Sequence, residues 1–320
     1  MIILDWDKSP SVSPGVVLLF GSGLIGTAIV SALRHSSVQA SAKRFCWSWP
    51  IPNKTEVQAV ESAALRALSK RADADFCVVW AAGRSGFGST EEAMADEFMA
   101  LDRVIQMSRL LGNGMDPKSR TFVHISSAGG LFEGQVACGQ KTLPHPLRAY
   151  GHGKLSQEQL VRADSTLGNR LILRPSSVYG YAPGARRGLI ATLIASSFQH
   201  SSAIIFGSLL TLRDYIYAPD IGRFVAKRLI KPRQTEESVL TETCLLASAR
   251  PASVFEIVRR IEGGLGRGLV MRIDPRPENA RDNTFLSSAL PEDFQPTSLQ
   301  EGIGLTISAI AGERFLGALN

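Results

Sequence analysis

Residues 15–36 read GVVLLFGSGLIGTAIVSALRHS. Val16 to Phe20 form a short apolar run of strand type. A glycine-rich turn follows, and from Leu24 to about Arg34 the apolar residues recur at helical spacing. Gly21, Gly23 and Gly26 make a GxGxxG between a strand and a helix, the setting that gives such a motif meaning. Glycines permit a tight turn and let the backbone approach a pyrophosphate, while the helix N-terminus offers free N–H groups and partial positive charge. Gly21, Ser22, Gly23, Leu24, Ile25 and Gly26 are therefore expected to hold a dinucleotide.

The rest of the chain repeats the alternation. KRFCWSW (43–49) is expected to be a strand, the stretch around 55–70 a helix, DFCVVWAAG (75–83) a buried strand and 89–111 a long amphipathic helix. RTFVHISSAGG (120–130) reads as a strand, residues 150–164 as a helix and RLILRPSSVYG (170–180) as a strand. Strands alternating with helices predict an α/β fold, a doubly wound parallel Rossmann sheet with helices on both faces. Past residue 180 the pattern is less regular, with helices expected at 251–266 and 298–315. We expect a Rossmann domain over 1–180, with a core at 15–180 and a loose extension at 1–14. A smaller C-terminal α/β substrate-binding cap is expected over 181–320, with part of about 212–232 returning to the first domain.

Composition narrows the partners. The chain has 320 residues and a net charge of +6, with its basic residues spread rather than massed. That argues against a nucleic-acid tract and suits an anionic small ligand. Four cysteines (Cys46, Cys77, Cys138, Cys244) form no CxxC, which fits free thiols in a reducing, cytoplasmic setting. No run approaches the 18 apolar residues of a membrane span, and the five histidines show no metal-ligand spacing, so no metal is expected.

Two places beyond the glycine loop bear chemistry. Ser126 and Ser127 close the 120–130 strand, and ligands of doubly wound sheets bind beyond the carboxyl ends of the strands. Tyr150 and Lys154 stand one helical turn apart. A free tyrosine titrates near 10, and a lysine on the same face favours its phenolate. Ser127, Tyr150 and Lys154 form a group able to move a proton on or off an alcohol or ketone oxygen while a nicotinamide exchanges hydride. No carboxylate follows KRFCWSW to bind a ribose 2′-hydroxyl, and Lys43 and Arg44 stand at its start, which leans toward NADP over NAD with Arg44 as the contact.

Seven pieces in order, LLFGSGLIG, VVWAAG, FVHISSAGG, YGHGK, LRPSSVYG, LRDYIYAPDIG and PTSLQEGI, make the chain resemble the extended short-chain dehydrogenases/reductases of the NAD-dependent epimerase/dehydratase type, from about residue 15 to about 305. The resemblance implies that Tyr150 is the catalytic tyrosine and that Lys154 also holds the nicotinamide ribose. It implies that Ala81, Ala82 and Gly83 lie against the cofactor, and that Arg174, Pro175 and Ser176 lie near the nicotinamide. Tyr179, with Gly180, would open the substrate region, and Arg213 would contact a substrate diphosphate. A homodimer is also expected.

Departures from the family pattern are specific. Phe20 takes the place of the first glycine of the usual GxxGxxG. Counting back from Phe132 puts the catalytic serine at Ala128, whereas counting from the serine pair puts it at Ser127; we prefer Ser127, with Ser126 second. Gly129 and Gly130 replace the acidic pair of sugar 4,6-dehydratases, which disfavours elimination of water. The expected function is an NAD(P)-dependent epimerase or ketoreductase of a nucleotide-activated sugar. The alternatives are a reductase of a steroid or other small alcohol, and a non-catalytic sensor of the cofactor, which would have no need of the Tyr150–Lys154 pair.

Overall fold

The computed structural model describes residues 1–10, 12–71, 73–230 and 239–318. In chain order the first half contains β1 (Ile2–Trp6), β2 (Gly15–Phe20), α1 (Leu24–Arg34), β3 (Ser41–Arg44), α2 (Lys54–Ser69), β4 (Asp75–Trp80), α3 (Glu91–Leu111), β5 (Arg120–Ile125), α4 (Ala128–Leu131) and α5 (Ala149–Ala163). The second half contains β6 (Asn169–Pro175), β7 (Ser177–Tyr179), α6 (Leu189–Phe198), β8 (Ala203–Phe206), β9 (Leu212–Arg213), β10 (Tyr215–Tyr217), α7 (Ala218–Leu229), β11 (Thr241–Leu246), β12 (Ala252–Ser253), α8 (Val254–Leu265), β13 (Met271–Asp274) and α9 (Leu299–Ala318).

Seven strands form one mostly parallel sheet in the order β11-β6-β5-β4-β2-β1-β3. Its central strands β2 and β4 are apolar on both sides because helices cover both faces. In β2, Val17 and Leu19 pack in one layer with Ile29 of α1 and Ile221 of α7, while Val16, Leu18 and Phe20 pack in the other with Val60 of α2 and Leu101 of α3. The doubly wound Rossmann sheet expected from the sequence is present.

The extension expected at 1–14 is instead in part a sheet strand. β1 lies between β2 and β3 and runs antiparallel to both, with Ile2 opposite Leu19 on one side and Arg44 on the other. Ile2, Leu4 and Trp6 enter the α1 layer and Ile3 the opposite one. Trp6 rests on Gly15, where a Cβ would collide with its indole. Asp5, a charged residue inside this strand, is held by Arg71 at 3.0 Å and by the Ser41 hydroxyl at 2.7 Å. The strand expected over 43–49 is also displaced. β3 ends at Arg44, and Phe45, Trp47 and Trp49 fold back over the α2–α3 face, Trp47 edge-on to Phe20 and Trp49 stacked on Trp80. Bulky aromatics leave an edge strand when a buried apolar surface beside it can take them.

The second half builds a smaller unit from α6, α8 and α9 around Ile190, Ile194, Ile257, Ile261 and Ile303, with the short pairs β8–β13 and β9–β12. Beyond β6, two further elements from this half lie in the sheet layers. Helix α7 packs on α1, and β11 extends the sheet parallel to β6. Residues 231–232 of the expected return lie outside the described residues. Among the described residues no helix is long and apolar enough to cross a membrane.

Candidate active site

β2, β4, β5 and β6 end on one rim of the sheet, and Ala81 and Ser126 continue the ladder there, their amides donating to Phe20 and Leu173 carbonyls at 2.8 Å each. The glycine loop leaves this rim. Gly21 adopts φ +108°, and a side chain on it would collide with the Ala81 carbonyl. A side chain on Gly26 would collide with the Gly21 carbonyl, so this glycine lets α1 start against the loop. Gly23 is different, since a Cβ there would meet nothing within 4 Å. Its open surface, with no acidic residue in the first turn of α1, suits the close approach of a diphosphate to the helix end. The loop therefore fits the dinucleotide the sequence implies, with Ser22, Leu24 and Ile25 around the open position. At the adenosine side no carboxylate follows β3, and Arg44 is exposed at its end, two strand spacings or roughly 10 Å from β2.

A cavity of about 590 Å³ lies past the carboxyl ends of β5 and β6, between the sheet and the cap. Ile25, Ser126, Ser127, Tyr150, Pro175, Ser176, Tyr179 and Arg213 line it, joined by Phe87, Arg186 and Arg187, which sequence reasoning did not single out. Tyr150 sits in the first turn of α5. Its ring lies against Gly130, where a Cβ would come within 2.9 Å of it, and edge-on to Phe87 at 5.8 Å. The glycine that replaces an acid at 130 thus makes room for the tyrosine ring.

Ser127 is the N-cap of α4, its Oγ accepting the Gly130 amide at 3.2 Å. Ala128 is fully buried among Leu131, Phe132 and Phe285. Of the two serine alignments, only the one on Ser127 gives a residue lining the cavity. Ser126 is nearly buried.

Lys154 lies beneath the cavity, 3% exposed, with its Nζ 6.0 Å from the Tyr150 ring centroid. It donates to Glu97 Oε1 at 2.7 Å and to Gln157 Oε1 at 3.2 Å. Burial, the largest single influence, opposes its charge, but the Glu97 carboxylate, Tyr150 and Glu158 together outweigh it and push the ammonium pKa up. Gly83 has no side chain to obstruct this pair, since a Cβ would lie 3.0 Å from Lys154 Nζ and 3.1 Å from Glu97 Oε1. Ala81 and Ala82 pack into the two layers on either side of the sheet.

Arg174 does not reach the cavity beside the nicotinamide position, as its neighbours Pro175 and Ser176 do. Along β6 the side chains alternate, and Arg174 follows Ile172 onto the α5 face. There it grips Glu158 with two hydrogen bonds of 2.9 and 2.6 Å, and it borders a different cavity beside Arg162 and Cys244. Tyr179 borders the active cavity with its ring, but its hydroxyl is buried without a partner and burial pushes its pKa up. Arg213 stands over Phe87 at 5.1 Å and donates to the Asn279 carbonyl at 3.0 Å. Arg148 covers Phe87 at 5.1 Å too and is paired with Glu133 at 2.8 Å.

Glu97 carries a signal in the sequence that the motifs do not. It sits in the buried stripe Met94, Glu97, Leu101, Val104 of α3, and a lone acid in such a stripe is itself a signal.

A sheet of this topology, a glycine loop at its rim and a tyrosine–lysine pair beside a cavity define a dinucleotide-dependent enzyme fold of the short-chain type. The profile of the NAD dependent epimerase/dehydratase family matches residues 17–240, and the chain belongs to that family. It is 28% identical over 211 residues to an uncharacterized UDP-glucose epimerase of Bacillus subtilis, covering 64% of this chain and 65% of the relative. It is 27% identical over 143 residues to the dTDP-4-dehydro-6-deoxy-D-allose reductase of Streptomyces bikiniensis, covering 42% and 41%. The chain thus spans about two thirds or less of the length of these curated relatives. Among solved structures, UDP-glucose 4-epimerase from Bifidobacterium longum in complex with NAD+ and UDP shares the fold with a TM-score of 0.71 at 15% identity, over 93% of this chain and 98% of that one.

Proposed function

We propose that this protein is an NAD(P)-dependent epimerase or ketoreductase acting on a nucleotide-activated sugar. One observation carries the reading: Tyr150 and Ser127 open onto the same cavity as three arginines, Arg186, Arg187 and Arg213. Guanidinium groups match a diphosphate, and the arginines give the cavity the charge that a nucleotide sugar needs. When bound, the nicotinamide cofactor gives or takes hydride at the sugar carbon. Tyr150 Oη exchanges the proton of the sugar oxygen, Ser127 Oγ hydrogen-bonds the same oxygen, and Lys154 sets the charge beneath the ring. Gly21 and Gly26 shape the loop so that the backbone at Gly23 meets the diphosphate of the dinucleotide, while Ala81, Ala82 and Gly83 keep the rim low beside it.

Arg44 and the missing carboxylate after β3 support NADP(H) binding at least as well as NAD(H). A titration in which NADH is much the tighter ligand opposes this choice. Exposed Met99 and Leu110 on α3, at 47% and 62%, support pairing of two copies, readable by light scattering. The free thiols support a reducing, cytoplasmic setting.

The test is a thermal-shift panel of UDP-, GDP- and dTDP-sugars with cofactor present. A ligand at 100 times its Kd stabilises by about 2.7 kcal/mol, which moves a chain of this size several degrees. A panel without any shift overturns the substrate class.

A further inference from the structure

Glu97 is 0% exposed and every one of its acceptor directions is used. Oε1 accepts from Lys154 Nζ at 2.7 Å and from Gln157 Nε2 at 3.1 Å, and Oε2 accepts the Arg84 and Ser85 amides at 3.0 Å each. Burial alone would raise this carboxyl, but the Lys154 charge and these hydrogen bonds hold it down to about 2. It is therefore a fixed negative charge at working pH, tying α3 to α5 and to the loop that carries Phe87.

We propose that Glu97 is a positioning residue of the Tyr150–Lys154 pair, one that offsets most of the lysine's charge at the tyrosine and so suits the site to protonate a carbonyl oxygen rather than deprotonate an alcohol. The inference rests on the acid/base reading of Tyr150 and deepens it to reduction of a ketosugar. A lone ammonium 6.0 Å from the ring favours phenolate. With a carboxylate oxygen 2.7 Å from that ammonium, the two charges act on the tyrosine as a dipole, whose field falls faster with distance.

The other charged groups around Tyr150 do not restore the bias. His124 from β5 is buried, and burial first, then the Lys154 charge, keeps its imidazole neutral with a pKa of about 3. On α5, Glu158 is bound by Arg174 at 2.6 Å and Arg162 at 3.3 Å. Arg148 is bound by Glu133. Arg186, Arg187 and Arg213 line the same cavity, and in a substrate-free titration they are common to every variant and drop out of the differences between them.

The reduction balances without further reagents. The carbonyl π bond breaks, and a C–H and an O–H bond form. A reduced nicotinamide dinucleotide supplies the hydride with its two electrons and becomes oxidised. Tyr150 Oη supplies the proton and is reprotonated from solvent.

The test is a spectrophotometric titration of phenolate in the full-length, cofactor-free protein, with Tyr150→Phe subtracted to isolate Tyr150. Glu97→Gln should lower the Tyr150 midpoint by about one pH unit, the effect of removing a unit charge within about 9 Å at an effective dielectric near 20. Lys154→Met should raise it by about two units, and the double variant Lys154→Met/Glu97→Gln should bring it back to about half a unit above wild type. Loss of a merely structural residue does not produce this signed pattern. An unmoved midpoint in Glu97→Gln overturns the proposal. Where Glu97→Gln does not fold, the double variant, which buries neither charge, decides: a midpoint a full unit from wild type overturns it. No substrate enters the measurement, so failure of the nucleotide-sugar panel leaves this result interpretable on its own.

Discussion

Gly23→Val separates the role of the glycine loop in binding from its role in folding. Gly23 has φ −74° and ψ −163°, a conformation valine adopts without strain, and a Cβ there meets no atom within 4 Å. The folding cost is the poorer N-cap preference of valine, up to about 1 kcal/mol, and it is offset by about 0.5–1 kcal/mol from the stiffer unfolded chain. Melting should stay within about 4 °C of wild type. Binding should suffer far more. The added methyls occupy the space a diphosphate needs to reach the amides at the start of α1. Losing two charge-assisted hydrogen bonds at about 1.5–3 kcal/mol each weakens the dinucleotide by about 10²–10⁴-fold. Calorimetric titration with NADH and NADPH, beside a thermal melt, reads both quantities. Gly26→Val is the contrasting variant, because its side chain runs into the Gly21 carbonyl and should lower the melting point as well. A Gly23→Val protein that binds dinucleotide within threefold of wild type would show that the loop does not hold the diphosphate.

Tyr150→Phe should leave melting and cofactor affinity nearly unchanged and lower turnover by about 10² or more, and a wild-type rate with a responsive nucleotide sugar removes the mechanism. Arg213→Ala should weaken nucleotide-sugar binding by about 1–3 kcal/mol with dinucleotide affinity intact, so equal losses for both ligands would misplace the diphosphate. His124, with both ring nitrogens buried and unpartnered, has a folded pKa of about 3. The unfolded chain takes up a proton there below about pH 6.5 that the folded chain refuses, so stability is full above 6.5 and falls by up to about 1.4 kcal/mol per pH unit below it. His124→Leu should flatten melting temperature between pH 7 and 5, above the window in which Glu97 begins to lose its own contribution; a wild-type profile already flat there contradicts this. Trp6→Ala should cost about 3–5 kcal/mol in urea unfolding, and a silent substitution would mean that β1 does not contribute to the core.

The local patterns were enough for the sheet and the rim of the site. Continuous apolar runs at Val16–Phe20 and 76–80 announce strands covered on both faces, and Gly21, Gly23 and Gly26 announce the turn between strand and helix, because both depend on neighbours in sequence. Tyr150 and Lys154 were legible for the same reason, being one turn apart on one helix. The placement of Ile2–Trp6 was not legible, because its pairing with β2 and β3 and the neutralisation of Asp5 by Arg71 lie across long chain separations. The direction of Arg174, toward Glu158 rather than the cofactor rim, depends on which face of β6 meets α5. Glu97 is the clearest case: its partners come from β4's loop and from α5, 12 to 60 residues away, and only the packed fold brings those donors to one carboxylate. Sequence set the elements through local periodicity and backbone chemistry. Long-range packing set the electrostatics of the site, because a charge is defined by what surrounds it in space.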